Sequence, residues 1–202
     1  MRLRAALGVL STFGTTALLS LFACNPTAKT PEGAAPGASL SAQRLTPPMG
    51  VTLVMACTPT GPELCFNAID DNCNGVIDEG CGVSTGVLQF MIAGGDGKTD
   101  MDILLEGPNG VKITPQVPSK GGFKLDHDCP RDCGNVQNIE NIFFEGLEPP
   151  RGHYTVEVKL TEIAGGDLPM KVRFGARVGS RTFGADLSFA QVGEKKSFGF
   201  DL

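Results

Sequence analysis

The chain has 202 residues, enough for one medium domain or a smaller domain with appended segments. With 27 Gly, 14 Pro, no Trp and one Tyr, the composition favours short strands and many turns over a helical bundle. The net charge of −5, with no basic stripe, argues against a nucleic-acid surface that works by counterion release.

The chain begins "MRLR", continues as an apolar run broken by Ser, Thr and Gly, and closes on "LFAC", the order of a secretory signal. The run is too short and too interrupted for a membrane span, which needs roughly 20 predominantly apolar residues. Leu21-Phe22-Ala23-Cys24 resembles the lipobox of bacterial lipoproteins, although Phe22 is larger than the residue usual there. The resemblance implies that residues 1–23 are removed, that Cys24 is acylated, and that the lipid holds the protein at the outer membrane or cell surface. The alternative is an ordinary signal peptide followed by an unrelated cysteine. The seven cysteines (24, 57, 65, 73, 81, 129 and 133) support the first reading, because assigning Cys24 to lipid leaves six that can pair completely in an oxidising compartment. Residues 24–50, rich in Pro, Ala, Ser and Gly, read as a disordered tether. "VTLVMA" (51–56) opens a Cys-rich segment, 51–84, and is either a strand of the later domain or a chance apolar run.

Within that segment "AIDDNCNGVIDEGCG" (68–82) fits a calcium loop of EF-hand type. With Gly75 at the tight turn, Asp70, Asn72 and Asn74 occupy ligand positions, Val76 the backbone-carbonyl position and Asp78 the next ligand position. Alternating oxygen-bearing side chains converge on a hard cation while Gly lets the backbone reverse. Cys81 stands where a bidentate carboxylate belongs, so Glu79 must supply the last oxygens. Two Asn in place of Asp predict weak binding, roughly 10⁻⁴ to 10⁻³ M. Cys57, Cys65, Cys73 and Cys81 recur every eight residues and can clamp the loop where an EF-hand uses helices; four cysteines allow three pairings. "ELCFNAIDDNCNGVIDEGCG" (63–82) resembles the metal-binding motif, often repeated, of secreted proteins from myxobacteria and related bacteria, and is similar to the calcium repeats of thrombospondin. The competing reading is an acidic disulfide knot that holds no metal.

From residue 85 to 202, short alternating runs between Gly, Pro, Asn and Asp predict strands at 86–93, 101–107, 153–162, 170–178, 181–189 and 196–202. In "YTVEVKL" Tyr154, Val156, Val158 and Leu160 share one face, the pattern of a strand with one dry side. The fold class expected is all-β: a jelly-roll-like β-sandwich preceded by a small disulfide-stabilised calcium loop and the tether. "TDMDILLEGPNG", "GGFKLDHDC", "NIENIFFEG" and "PPRGHYTVEVKL" resemble, in this order, secreted β-sandwich modules of the prepeptidase carboxy-terminal kind. They are closer still to a periplasmic family with an aspartate-rich strand, an L-D-x-D turn and an E-N-I strand. Such modules are binding or folding accessories, which implies a non-catalytic role here.

Asp100, Asp102, Asp126 and Asp128, with Glu140 and Asn141, read first as turn residues and solvated faces; the alternative is that they converge on a second Ca²⁺ at one end of the sandwich. Cys129 and Cys133, in "CPRDC", are expected to pin a loop. No G-x-S-x-G elbow, phosphate-binding Gly loop or paired-His helix is present, and the two histidines, His127 and His153, have no metal-ligand spacing. The chain is therefore expected to be no enzyme. Its expected partners are Ca²⁺, a membrane through the lipid, and a carbohydrate or protein ligand. The alternative is an accessory or remnant of a secreted hydrolase using His127.

Overall fold

The computed structural model describes Leu40 and residues 44–55, 57–95, 99–129, 138–163 and 167–202. All belong to the second of two units into which the chain divides, Ala34–Leu202. The described residues form an all-β structure of ten strands: β1 (Leu88–Gly94), β2 (Thr99–Glu106), β3 (Lys112–Ile113), β4 (Ser119–Lys120), β5 (Phe123–Asp128), β6 (Ile139–Phe144), β7 (His153–Ile163), β8 (Met170–Val178), β9 (Arg181–Phe189) and β10 (Lys195–Asp201). Two antiparallel sheets result, one ordered β4-β5-β6-β1-β8-β9 and the other β10-β7-β2-β3. Consecutive strands repeatedly change sheet, which interleaves the chain as a sandwich requires.

Alternation places the core. Tyr154, Val156, Val158 and Leu160 of β7 are all fully buried, while the residues between them are at least partly exposed. Aromatic rings join the sheets across this core: Phe174 of β8 stacks on Phe198 of β10 at 4.1 Å, and Phe90 of β1 lies 5.5 Å from Phe200 of β10. β5 is a strand where the family resemblance implies a turn.

β1 and β6 break the alternation, because both of their faces are buried. The cause is the disulfide-rich segment, which lies on the outer face of the six-stranded sheet. Ala68, Ile77 and Val83 pack there against Met91 and Ala93 of β1 and Ile139 of β6. Gly175 of β8 permits the close approach, since a Cβ there would sit 2.4 Å from the Ala68 carbonyl oxygen. The disulfides are Cys57–Cys73 and Cys65–Cys81, each spanning 16 residues and interlocked in sequence.

Residues 44–55, a strap ahead of the disulfide-linked part of the segment, cover two sheet edges. Thr46 and Gly199 of β10 exchange backbone bonds at 2.7 and 3.1 Å, and Val54 and Gly184 of β9 do so at 2.7 and 2.9 Å. Leu40 and Leu45 are buried in the sandwich core, with Val51 and Leu53 against its margin. The described part of the "VTLVMA" run, residues 51–55, thus reaches the domain through the bridge at Val54 and the packing of Val51 and Leu53.

Candidate metal centre

β2 pairs with β3 through Leu105 and Glu106, so β3 does not extend along Thr99 to Leu104. β6 of the opposite sheet comes alongside this part of β2. The Asn138 side-chain amide donates to the Thr99 carbonyl, and the Ile103 N–H donates to Glu140 Oε2 at 2.5 Å. A buried edge has to satisfy its amides somewhere, and here side chains of the facing sheet do it.

Four carboxylates meet at this junction. Asp100 and Asp102 come from β2, Asp128 from β5 and Glu140 from β6, and one oxygen of each lies within 4.8 Å of the others. Oxygens bound to one Ca²⁺ at about 2.4 Å are at most about 4.8 Å apart, so the group has the dimensions of a cation shell. Glu140 is fully buried, and its Oε1 has no hydrogen-bond partner. Burial pushes its carboxyl well above the usual range; the Ile103 N–H acts against that, and the charges of Asp102, Asp128 and Asp100 add to it. An oxygen in that position wants a cation or a proton. Asp102 also accepts from the Thr161 hydroxyl. Thr161 is the extra residue of β7 where its register with β2 shifts between Asp100 and Met101. This acidic group can hold a metal ion.

Of the residues expected here from sequence, Asp100, Asp102, Asp128 and Glu140 are brought together, and Asp126 and Asn141 are not. A β-bulge separates them. Leu125 opposes Ile142, His127 opposes Asn141 and Asp128 opposes Glu140, so Asp126 is the inserted residue. The insertion breaks the i, i+2 rule that would have put Asp126 and Asp128 on one face. Asp126 accepts instead from Asn141 Nδ2 and from the Ser84 N–H, both at 2.7 Å, on the outer side of the sheet.

In the disulfide-linked loop the carboxylates face the chain's own amides. Asp70 accepts from the N–H groups of Asn74 and Gly75, each at 3.0 Å, and from the Thr182 hydroxyl of β9 at 3.0 Å. Asp78 is fully buried and accepts from Phe66 at 2.8 Å and Ala68 at 3.0 Å; burial pushes its carboxyl up, and these N–H groups with that of Asn67 act against it. Asn72 and Asn74 direct their side-chain amides to Glu79 Oε1, while their own Oδ1 atoms accept the N–H groups of Asn74 and Val76. Asp70, Asp78 and Glu79 therefore bind different parts of the loop. Glu63, which the sequence does not single out, ties its halves together by accepting from Asn72 N–H at 3.0 Å and Asp78 N–H at 3.1 Å. Burial on Asp71 raises its carboxyl, but bonds from Asn67, Leu64 and Thr60 outweigh it and hold the group below the usual range. Nothing in the calcium-loop pattern marks Glu63, because its contacts depend on the disulfide pairing.

Comparison with protein-family models, curated proteins and solved structures finds no match to this chain. The remaining residues expected to matter can be placed individually. Cys129 is buried and disulfide-bonded, whereas Cys133 and the lipid-attachment residue Cys24 lie outside the described residues. His127 Nδ1 is 3.3 Å from Asp126, a carboxylate already engaged by Ser84 and Asn141. His153 is exposed on the four-stranded sheet, 2.9 Å from Asp201. Among the described residues no helix is long and apolar enough to cross a membrane.

Proposed function

We propose that this protein is a non-catalytic lipoprotein of the cell envelope that binds Ca²⁺ and presents its β-sandwich to a carbohydrate or protein ligand. The observation that carries the calcium reading is the convergence of Asp100, Asp102, Asp128 and Glu140 around a buried Glu140 oxygen without a partner. All four donors are carboxylate oxygens, which suits a hard cation; zinc prefers nitrogen and sulfur, and Mg²⁺ holds its water more tightly and demands a near-octahedral shell. The ion would join β2 to β5 and β6 along the sandwich edge and so fix the face offered to a ligand. The lipid anchor rests on the lipobox resemblance at residues 21–24, and export agrees with two disulfides in so short a segment.

Calorimetric titration of the mature protein with Ca²⁺ tests the site. Binding should vanish in the double variant Asp102→Asn, Glu140→Gln and persist in Asp70→Ala, Asp78→Ala. The opposite result would move the ion into the disulfide-linked loop, and an isotherm unchanged in both would refute calcium at either place. For the anchor, Cys24→Ser should leave the membrane fraction; continued retention would defeat that part of the reading.

A further inference from the structure

Neighbouring residues of β6 serve opposite sides of the six-stranded sheet. Glu140 reaches inward to the carboxylate group, and Asn141 outward to the disulfide-linked segment. Their partners on β5 divide in the same way, Asp128 with Glu140 and Asp126 with Asn141. On the outer side a chain of hydrogen bonds runs from the bulge to the segment. Asn141 donates to Asp126 and to the Ser84 carbonyl at 2.7 and 2.8 Å, and Gln89 donates to Asn141 Oδ1 at 3.1 Å and to the Ile77 carbonyl at 3.3 Å. Gln89 and Asn141 are fully buried, so each of these bonds is costly to leave unmade. The bulge at Asp126 sets the direction of both Asp126 and Asp128, and a packed ribbon cannot adjust one side independently of the other.

We infer that calcium binding by Asp100, Asp102, Asp128 and Glu140 and docking of the segment at residues 57–84 on the opposite face of β5–β6 are thermodynamically linked. The inference rests on the calcium reading above. Each event restricts the same two strands, so the second meets less freedom to remove. Linkage of this kind is reciprocal: docking tightens calcium binding by the factor by which calcium tightens docking.

Gly175→Ala separates the two, because its Cβ would press on the Ala68 carbonyl and lift the segment without touching a carboxylate. Calcium titration of that variant should show affinity about tenfold weaker than in the wild type, within the usual range of such couplings. In the wild type, Ca²⁺ should slow amide hydrogen exchange at Phe66, Ala68 and Gly75, whose N–H groups bond to Asp78 and Asp70. That protection should disappear in Glu140→Gln. Calcium binding of equal affinity in wild type and Gly175→Ala, or exchange indifferent to Ca²⁺, overturns the linkage and leaves the calcium site standing. Protection that survives Glu140→Gln overturns it too, by placing the ion in the loop. Absence of calcium binding in the wild type removes the site and the linkage together. Should Gly175→Ala fail to fold, the exchange comparison between wild type and Glu140→Gln decides alone.

Discussion

At the scale of single residues, the decisive group is Glu140, a carboxylate with no exposure in a junction that already holds three others. Its cost to the metal-free protein is the cost of a buried charge or of the proton that neutralises it. Glu140→Gln is therefore expected to stabilise the calcium-free protein by about 1 kcal/mol while abolishing stabilisation by Ca²⁺. Urea unfolding with chelator and with Ca²⁺ reads both effects. Tyr154 allows a cleaner titration, since it is the single Tyr in a chain without Trp. Its hydroxyl donates to the Pro150 carbonyl, its ring stacks on Phe200 at 5.0 Å, and burial pushes the phenol up to about 12. Because the folded value is raised above the unfolded value of about 10, this contribution to stability is complete below about pH 10 and is lost as pH rises through about 12. Phenolate absorbance should titrate near 12 in the folded protein and near 10 in urea. A midpoint near 10 in both would mean that the ring is not held as described.

At the scale of elements, the disulfide-linked segment has no described helix or strand of its own and holds its shape through two cross-links and a set of carboxylate–amide bonds. Closing a loop of this length removes roughly 3 kcal/mol of unfolded-chain entropy. Replacing Cys57 and Cys73 by Ser should accordingly release the segment to protease at concentrations that leave β7 to β10 intact. Equal resistance of the variant and the wild type would show that docking on the sheet suffices. The strap ahead of the segment is also held by the sandwich. Leu45 is 6 % exposed in its core, so Leu45→Ala should cost about 2 kcal/mol or more in chemical unfolding, as for other buried Leu. β7 was legible in sequence because one of its faces meets solvent and alternation survives. β1 was read as a strand at 86–93 from its apolar run, whereas β6 was marked only by the E-N-I resemblance, because the segment covers the second face of both and erases the period.

At the scale of the whole molecule, β3 covers only Leu105 and Glu106 of β2, and the carboxylates gather where β6 approaches the rest of that strand. A cation bound only in the folded state stabilises by mass action, about 2.7 kcal/mol at a hundredfold excess over Kd. Thermal unfolding in saturating Ca²⁺ should therefore occur several degrees above unfolding in chelator, and equal midpoints would speak against the site. By itself the sequence determined the all-β class, the dry face of β7 and the acidic residues from which a metal group is drawn, because period, turn chemistry and residue type are local properties. The tertiary structure decided which cysteines pair, since four evenly spaced cysteines are equivalent along the chain and only packing on β1, β6 and β8 makes them differ. It also decided that Asp126 leaves the carboxylate group while Glu140 joins it. One inserted residue in β5 turns Asp126 to the outer face, and only the meeting of two sheets brings β6 against β2.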